Sequence, residues 1–228
     1  MLIHIPRVLT PEQVEHAVTQ LNKVDAPWVD GRVTAGYQGA TVKQNQQIDE
    51  RSTMAHELGD MILGALERNP LFISAALPNR VYPPLFNRYG EGMYFGNHVD
   101  GSVRMVPGSG HKLRTDISAT LFLAPPESYE GGELVIEDSY GAHAVKLAAG
   151  DMVLYPATSR HRVNPITRGT RVASFFWIQS MVRDDAQRTL LYDMDTAVQR
   201  LNQTGADADA LVQLMGNYHN LLRMWTDV

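Results

Sequence analysis

The sequence predicts a mainly β fold flanked by helices at both ends, on three observations. Between about residues 80 and 180 the apolar segments are short and punctuated by Gly, Pro, Asn or Ser. Regularly spaced short strands with such turn signals point to a sandwich, a jelly roll or a barrel. Before about residue 70, and again from 181 to 228, apolar residues recur instead at the spacing of a helix face.

"TPEQ" at 10–13 opens the first helix, with Thr10 as N-cap, Pro11 at the first helical position and Gln13 completing a capping box. Val14, Ala17, Val18 and Leu21 follow at helical spacing. A second helix is expected from about Glu50 to Glu67, with Met54, Leu58, Met61, Ile62 and Leu66 on one stripe. "RNP" at 68–70 ends it, because a residue before proline avoids the helical region. In the strand-rich middle, "DISATLFLA" alternates, placing Ile117, Ala119, Leu121 and Leu123 on one face. "GGELVIED", "HAVKL", "GDMVLYPA" and "RVASFFWIQS" continue the series, and Gly131 and Gly132 read as a plain hairpin turn. Phe175 and Trp177 read as barrel packing. "DAQRTLLYDMDTAVQRL" and "ALVQLMGNYHNLLRMW" are two further helices around the break "NQTGADAD". The expected division is a helix-and-strand segment at 1–79 packing on the core, a β core at 80–180 and a helical region at 181–228.

With 44% hydrophobic and 20% charged residues, the 228-residue chain has the composition of an ordinary globular protein able to bury a sizeable core. Its net charge of −5 offers no attraction to nucleic acid or anionic lipid. No apolar run approaches the 18 or so residues of a membrane span. "MLIHIPRVLTPEQ" lacks the basic and apolar regions of a signal peptide, so a cytoplasmic protein is expected. Cysteine is absent, which excludes disulfides, thiolate metal sites and cysteine nucleophiles.

The chemistry concentrates in "NRYGEGMYFGNHVDG", residues 87–101, which leads bendable glycines into His98 and Asp100. Residues at i and i+2 share one face of an extended strand. His161, in "YPATSRHRVNP", is the best third ligand, since it opens a strand after a proline-containing loop. Two imidazoles and a carboxylate on one side of a metal leave the other positions open, the arrangement of non-haem Fe(II) oxygenases. H-x-D also arises often by chance, and His111, near Asp116, and His143 compete for the third place. Arg171, ten residues beyond His161, lies in an apolar strand where an unpaired guanidinium is prohibitive. Its partner is either a buried acid or a small anion bound bidentately. Arg162 and Arg168 read as solvated.

The H-x-D, the distal histidine and the arginine ten residues on resemble the Fe(II)/2-oxoglutarate-dependent dioxygenases of the prolyl 4-hydroxylase type. More narrowly, "RYGEGMYFGNHVDG", "RTDISATLFLAPPESYEGGELVIED" and "GDMVLYPATSRHRVNPITRGTRVASFFWIQSMVR", in that order, resemble the bacterial PKHD-type hydroxylases, described as iron-uptake-associated factors. The resemblance implies a double-stranded β-helix, a jelly-roll variant. It implies Fe(2+) on His98, Asp100 and His161, and 2-oxoglutarate as co-substrate with its far carboxylate on Arg171. Tyr89 matches a tyrosine that helps hold 2-oxoglutarate in relatives, with Tyr94 as the alternative. Hydroxylation of a small-molecule or peptide substrate with molecular oxygen, releasing succinate and CO2, is the implied reaction, with L-ascorbate as accessory reductant and a link to iron or siderophore metabolism. The apolar stripe Leu190, Leu191, Met194, Ala197, Val198 and Leu201 further predicts C-terminal helices that cover the barrel's outer face and contribute to a homodimer. A non-catalytic metal-binding jelly roll, sensor or binding module, is the rival; it has no use for Arg171 at this spacing. A cupin-type enzyme favours three histidines and a glutamate, where this chain has Asp100.

Overall fold

The structure, a computed structural model, describes residues 1–227, without the side chains of Tyr37 and Gln38. Strand β1 (Ile3–Ile5) leads into α1 (Pro11–Leu21), whose Thr10 and Gln13 make the expected reciprocal cap. β2 (Trp28–Asp30), α2 (Tyr37–Thr41), β3 (Lys43–Gln44) and β4 (Gln46–Ile48) follow, then α3 (Thr53–Leu66), capped by Ser52. "RNP" ends α3 and also starts α4 (Pro70–Ala76), because Asn69 caps it and Pro70 takes its first position. Proline stops a helix behind it and suits the start of one ahead.

The strand-rich part runs β5 (Pro78–Val81), β6 (Leu85–Tyr89), β7 (Tyr94–His98), β8 (Val103–Met105), β9 (Lys112–Arg114) and β10 (Ile117–Phe122). It continues with β11 (Tyr129–Gly131), β12 (Leu134–Asp138), β13 (Gly141–Val145), β14 (Met152–Pro156), β15 (Arg160–Val163), β16 (Ile166–Gly169) and β17 (Arg171–Ser180). Helices α5 (Asp185–Gln203) and α6 (Ala208–Trp225) close the chain. Among the described residues, no helix is long and apolar enough to cross a membrane.

Two sheets form the core, and their pairings are antiparallel. The larger has the order β1-β14-β10-β17-β6-β4-β2, with β5 also on β17; the smaller is β13-β12-β15-β7-β3. The chain passes from β14 in one sheet to β15 in the other and returns to the first at β17, which gives the jelly roll its wound character. The N-terminal segment is woven in rather than laid on: β1 pairs with β14, β3 with β7 and β4 with β6. Leu21, Ile62 and Leu66 of the helices share one core with Phe86, Phe122, Leu154 and Ile178 of the large sheet.

Three local readings change. β10 does not alternate between core and solvent: all six of its residues are buried, because it lies inside the sheet with both faces covered. Gly131 and Gly132, with φ of +72° and +69°, do not turn a hairpin, since β11 pairs with β16 and β12 with β13 and β15. The C-terminal helices gather with α4 at one end of the large sheet, where Leu77, Val182, Leu191 and Tyr218 form a separate small core. Ser74 donates to Asp195, and the Met1 ammonium pairs with Asp185. Of the expected stripe, Leu191 and Val198 are buried while Leu190 and Leu201 are exposed.

Candidate active site

A cavity of about 740 Å³ opens between the two sheets. His98 ends β7 and His161 lies in β15; the two strands pair with these residues directly opposite each other. Cross-strand neighbours on one face of a sheet are close enough to touch. Their ring centres are 4.2 Å apart. Asp100 lies just beyond the end of β7, so it does not share a strand face with His98 as the spacing suggested. The loop nevertheless turns its carboxylate inward, 3.9 Å from His98 Nε2 and 3.7 Å from His161 Nε2. One ligand atom from each of the three residues lies within 4.8 Å of the others.

The surroundings prepare these groups as ligands. His98 Nδ1 donates to the Gly96 carbonyl at 2.8 Å and His161 Nδ1 to the Ser159 carbonyl at 3.0 Å. With Nδ1 carrying the proton, each Nε2 keeps its lone pair toward Asp100. Ser118 Oγ donates to Asp100 Oδ2 at 2.6 Å, holding the carboxylate in its rotamer. Burial, with the neighbouring His161 as next cause, pushes the His98 imidazole down to about 4, which keeps it neutral at ordinary pH. Phe95 stacks on His98 at 3.5 Å between ring centres, fixing the imidazole plane.

Arg171 opens β17 opposite Tyr89 and is only 1% exposed. Its Nε and Nη1 have no hydrogen-bond partner, and the guanidinium makes no ion pair among the described residues. It rests instead between Phe122 and Tyr89, at 5.1 and 5.5 Å from their ring centres. Among the described residues, therefore, no buried acid pairs with Arg171. A guanidinium with free donors in a cavity wall is a receptor for an anion. Tyr129, buried near Arg171, also has an unpartnered hydroxyl. Burial pushes the Tyr89 phenol up to about 12, so it stays a neutral donor. Tyr94 is partly exposed and does not line the cavity.

The competing histidines go elsewhere: His143 meets Asp138 at the surface and His111 is exposed, while Asp116 is taken by Arg114. Arg168 is solvent-exposed and pairs with Glu130. Arg162, expected in solvent, is partly buried and pairs with Glu137 at 3.1 Å, reaching diagonally across the β15–β12 pairing, in which Arg162 stands opposite Val135. Phe175 and Trp177, read as packing, do pack with Tyr82, Leu85 and Leu113, and they also line the cavity. Ser118, Tyr129, Asn87 and Lys43 were not singled out from the sequence. Ser118 left one signal, a polar residue on the second face of an apolar strand; the other three left none.

Two imidazoles with one carboxylate, open on one side to a cavity ending in an unpaired arginine, suit Fe(II) and a dicarboxylic keto acid. Comparison with known proteins agrees. The 2OG-Fe(II) oxygenase superfamily matches residues 84–179 and the PKHD-type hydroxylase C-terminal domain residues 185–227. PKHD-type hydroxylases of Burkholderia ambifaria and Cupriavidus pinatubonensis are 68% and 69% identical over 227 residues, covering 100% of this chain and of each relative. A Pseudomonas putida prolyl-4-hydroxylase shares the fold with a TM-score of 0.53 and 21% identity, over 78% of this chain and 92% of its own. A Trichoplax adhaerens prolyl hydroxylase, solved with a hypoxia inducible factor peptide, does so with 0.54 and 11%, over 78% and 83%. The chain belongs to the PKHD-type hydroxylases, enzymes of the 2OG-Fe(II) oxygenase superfamily that work with Fe(II) and 2-oxoglutarate.

Proposed function

We propose that His98, Asp100 and His161 hold the iron and that Arg171 receives the far carboxylate of 2-oxoglutarate, so that the chain hydroxylates a C–H bond of a substrate entering by the cavity mouth. The observation that carries this reading is that the three-ligand cluster and the unpaired, buried arginine face one cavity. When bound, Fe(II) with 2-oxoglutarate and oxygen supplies the oxidising power, with release of succinate and CO2.

The chain's own residues orient and shield. The Gly96 and Ser159 carbonyls hold the imidazole tautomers, and Ser118 holds Asp100. Tyr129 and Tyr89 stand beside Arg171 as hydroxyl donors to the same carboxylate, and Leu134 and Val163 keep water off that end of the cavity. L-ascorbate serves as accessory reductant in this reading. The resemblance to iron-uptake-associated factors makes siderophores the first compounds to screen as substrates. The same reading keeps residues 80–180 as the dioxygenase core, with 1–79 and 181–228 as its additions, and expects a homodimer in the cytoplasm. The test is succinate release from 2-oxoglutarate by the Fe(II)-loaded protein, compared with Asp100→Ala. Equal release by both would remove the cluster from the chemistry.

A further inference from the structure

Besides Arg171, the cavity wall carries two cations that make no ion pair among the described residues. Lys43, on β3, is 6% exposed, with Nζ 5.0 Å from the ring centre of Phe95 and 5.8 Å from that of Phe175. Its polar partners are neutral: Thr34 Oγ1 at 3.3 Å and, with the Gln47 amide turned to satisfy its neighbours, the Gln47 oxygen at 3.1 Å. Arg104, on β8, lies over Trp177 at 4.1 Å and Tyr82 at 5.3 Å. Among the described residues neither cation makes an ion pair. Of the two carboxylates that line the cavity, Asp100 belongs to the candidate ligand cluster, and Glu50 shares the Tyr82 hydroxyl with Arg104 without pairing with it directly.

Aromatic faces soften the cost of a buried cation without supplying a counter-charge. Burial pushes the Lys43 ammonium down to about 8 and the Arg104 charge adds to this, against a smaller opposing pull from Asp100 and Asp30, neither of which pairs with it, so the two cations face common space. An ammonium without a contacting counter-ion is expensive to keep in a cavity wall, and a structural role would be served as well by a methionine.

We infer that the primary substrate carries an anionic group of the carboxylate class, received by Lys43 with Arg104, and lays a flat or apolar portion against Phe175 and Trp177. The reacting carbon is then close to that anion. Phe95, which Lys43 covers, is the ring that stacks on His98 at 3.5 Å, so the anion sits about one ring's width from the ligand cluster. Hydroxylation falls within a few bonds of the charged group.

This inference rests on the dioxygenase reading, and the experiment separates the two. The protein is loaded with Zn(II), which supports no turnover, and titrated calorimetrically with 2-oxoglutarate; failure at this step counts against the dioxygenase site itself. The 2-oxoglutarate-saturated protein is then titrated with 3-phenylpropanoate and with its neutral isostere 3-phenylpropanamide. The acid is expected to bind at least tenfold more tightly than the amide, and Lys43→Met or Lys43→Gln to abolish that preference. Lys43→Met is also expected to melt at a higher temperature than the wild type, because it removes the unpaired ammonium. Equal affinity for the two probes, no binding of the acid, or a preference surviving both Lys43 variants and Arg104→Leu overturns the inference.

Discussion

Among the described residues each imidazole of the candidate ligand cluster makes one hydrogen bond, to a backbone oxygen, with an aromatic ring against it (Phe95 on His98, Tyr155 on His161), and the carboxylate accepts one from a hydroxyl. Alanine at His98, Asp100 or His161 is expected to abolish stable iron binding in a folded protein, measured by elemental analysis; full occupancy in the His161 variant would return His111 or His143 to contention. Ser118→Ala keeps all three ligands but frees Asp100. Loss of such a supporting bond lowers metal affinity about 10–100-fold, and competition with a chelator reads it. Arg171→Leu should keep iron and lose 2-oxoglutarate affinity by about 2–5 kcal/mol, the cost of removing one partner of a buried charge pair. Anaerobic titration of the Fe(II) protein measures this, and unchanged affinity rejects the assignment. The metal-free protein has its own pH signature. The folded His98 titrates near 4 against an ordinary 6.5, so the unfolded chain binds the extra proton between those values. Stability is therefore full above about 6.5 and falls as pH drops toward 4, by up to about 3 kcal/mol. Urea denaturation at a series of pH values tests the slope; a flat profile across that window contradicts it.

At the scale of elements, the junction between β11 and β12 carries a burden that its glycines explain. A Cβ at Gly132 would stand 2.3 Å from Ile166 Cδ1 and 3.2 Å from Arg171 Cδ, in a backbone with φ +69°. The junction thus packs directly against the stem of the arginine, which a longer side chain would displace. Gly132→Ala is expected to cost about 1–3 kcal/mol in stability and to weaken 2-oxoglutarate binding while iron content holds. Wild-type 2-oxoglutarate affinity in a folded Gly132→Ala protein would show that the arginine is positioned without this contact. β7 poses the opposite case: it ends at His98, and the following loop lets Asp100 face His98 and His161 although it has left the strand.

For the whole molecule, the N-terminal strands close both sheets and the C-terminal helices secure one end. Removing residues after Ser180 would take away Val182, Leu191 and Tyr218 and leave Leu77 uncovered. Helices of this length do not persist without packing. The truncated chain is expected to lose solubility or to change its mass by light scattering, whereas the full chain should show the mass of a dimer through the outward faces that carry Leu190, Leu201 and Val212. A monomeric full-length mass rejects the dimer. A truncated protein that stays folded but loses 2-oxoglutarate binding would make these helices part of the site.

What the sequence alone determined were local patterns and residue types: the cap at Thr10 and Gln13, the two long C-terminal helices, the strand series, and a histidine–aspartate pair with a distant histidine and arginine. These are legible because helix and strand periods and turn chemistry act over a few residues, and because an arginine in an apolar strand is anomalous without knowledge of its neighbours. The tertiary structure decided which distant residues meet. Lys43, Ser118, Tyr129, His161 and Arg171 come from five different strands, and sheet pairing between segments far apart in the chain sets their proximity. It also decided that β10 is buried on both faces, that Gly131 and Gly132 carry the chain between two sets of strands rather than around a hairpin, and that α5 leans on α4 and α6 on α5. Each depends on what covers a face, and coverage is a property of the packed molecule that no local period encodes.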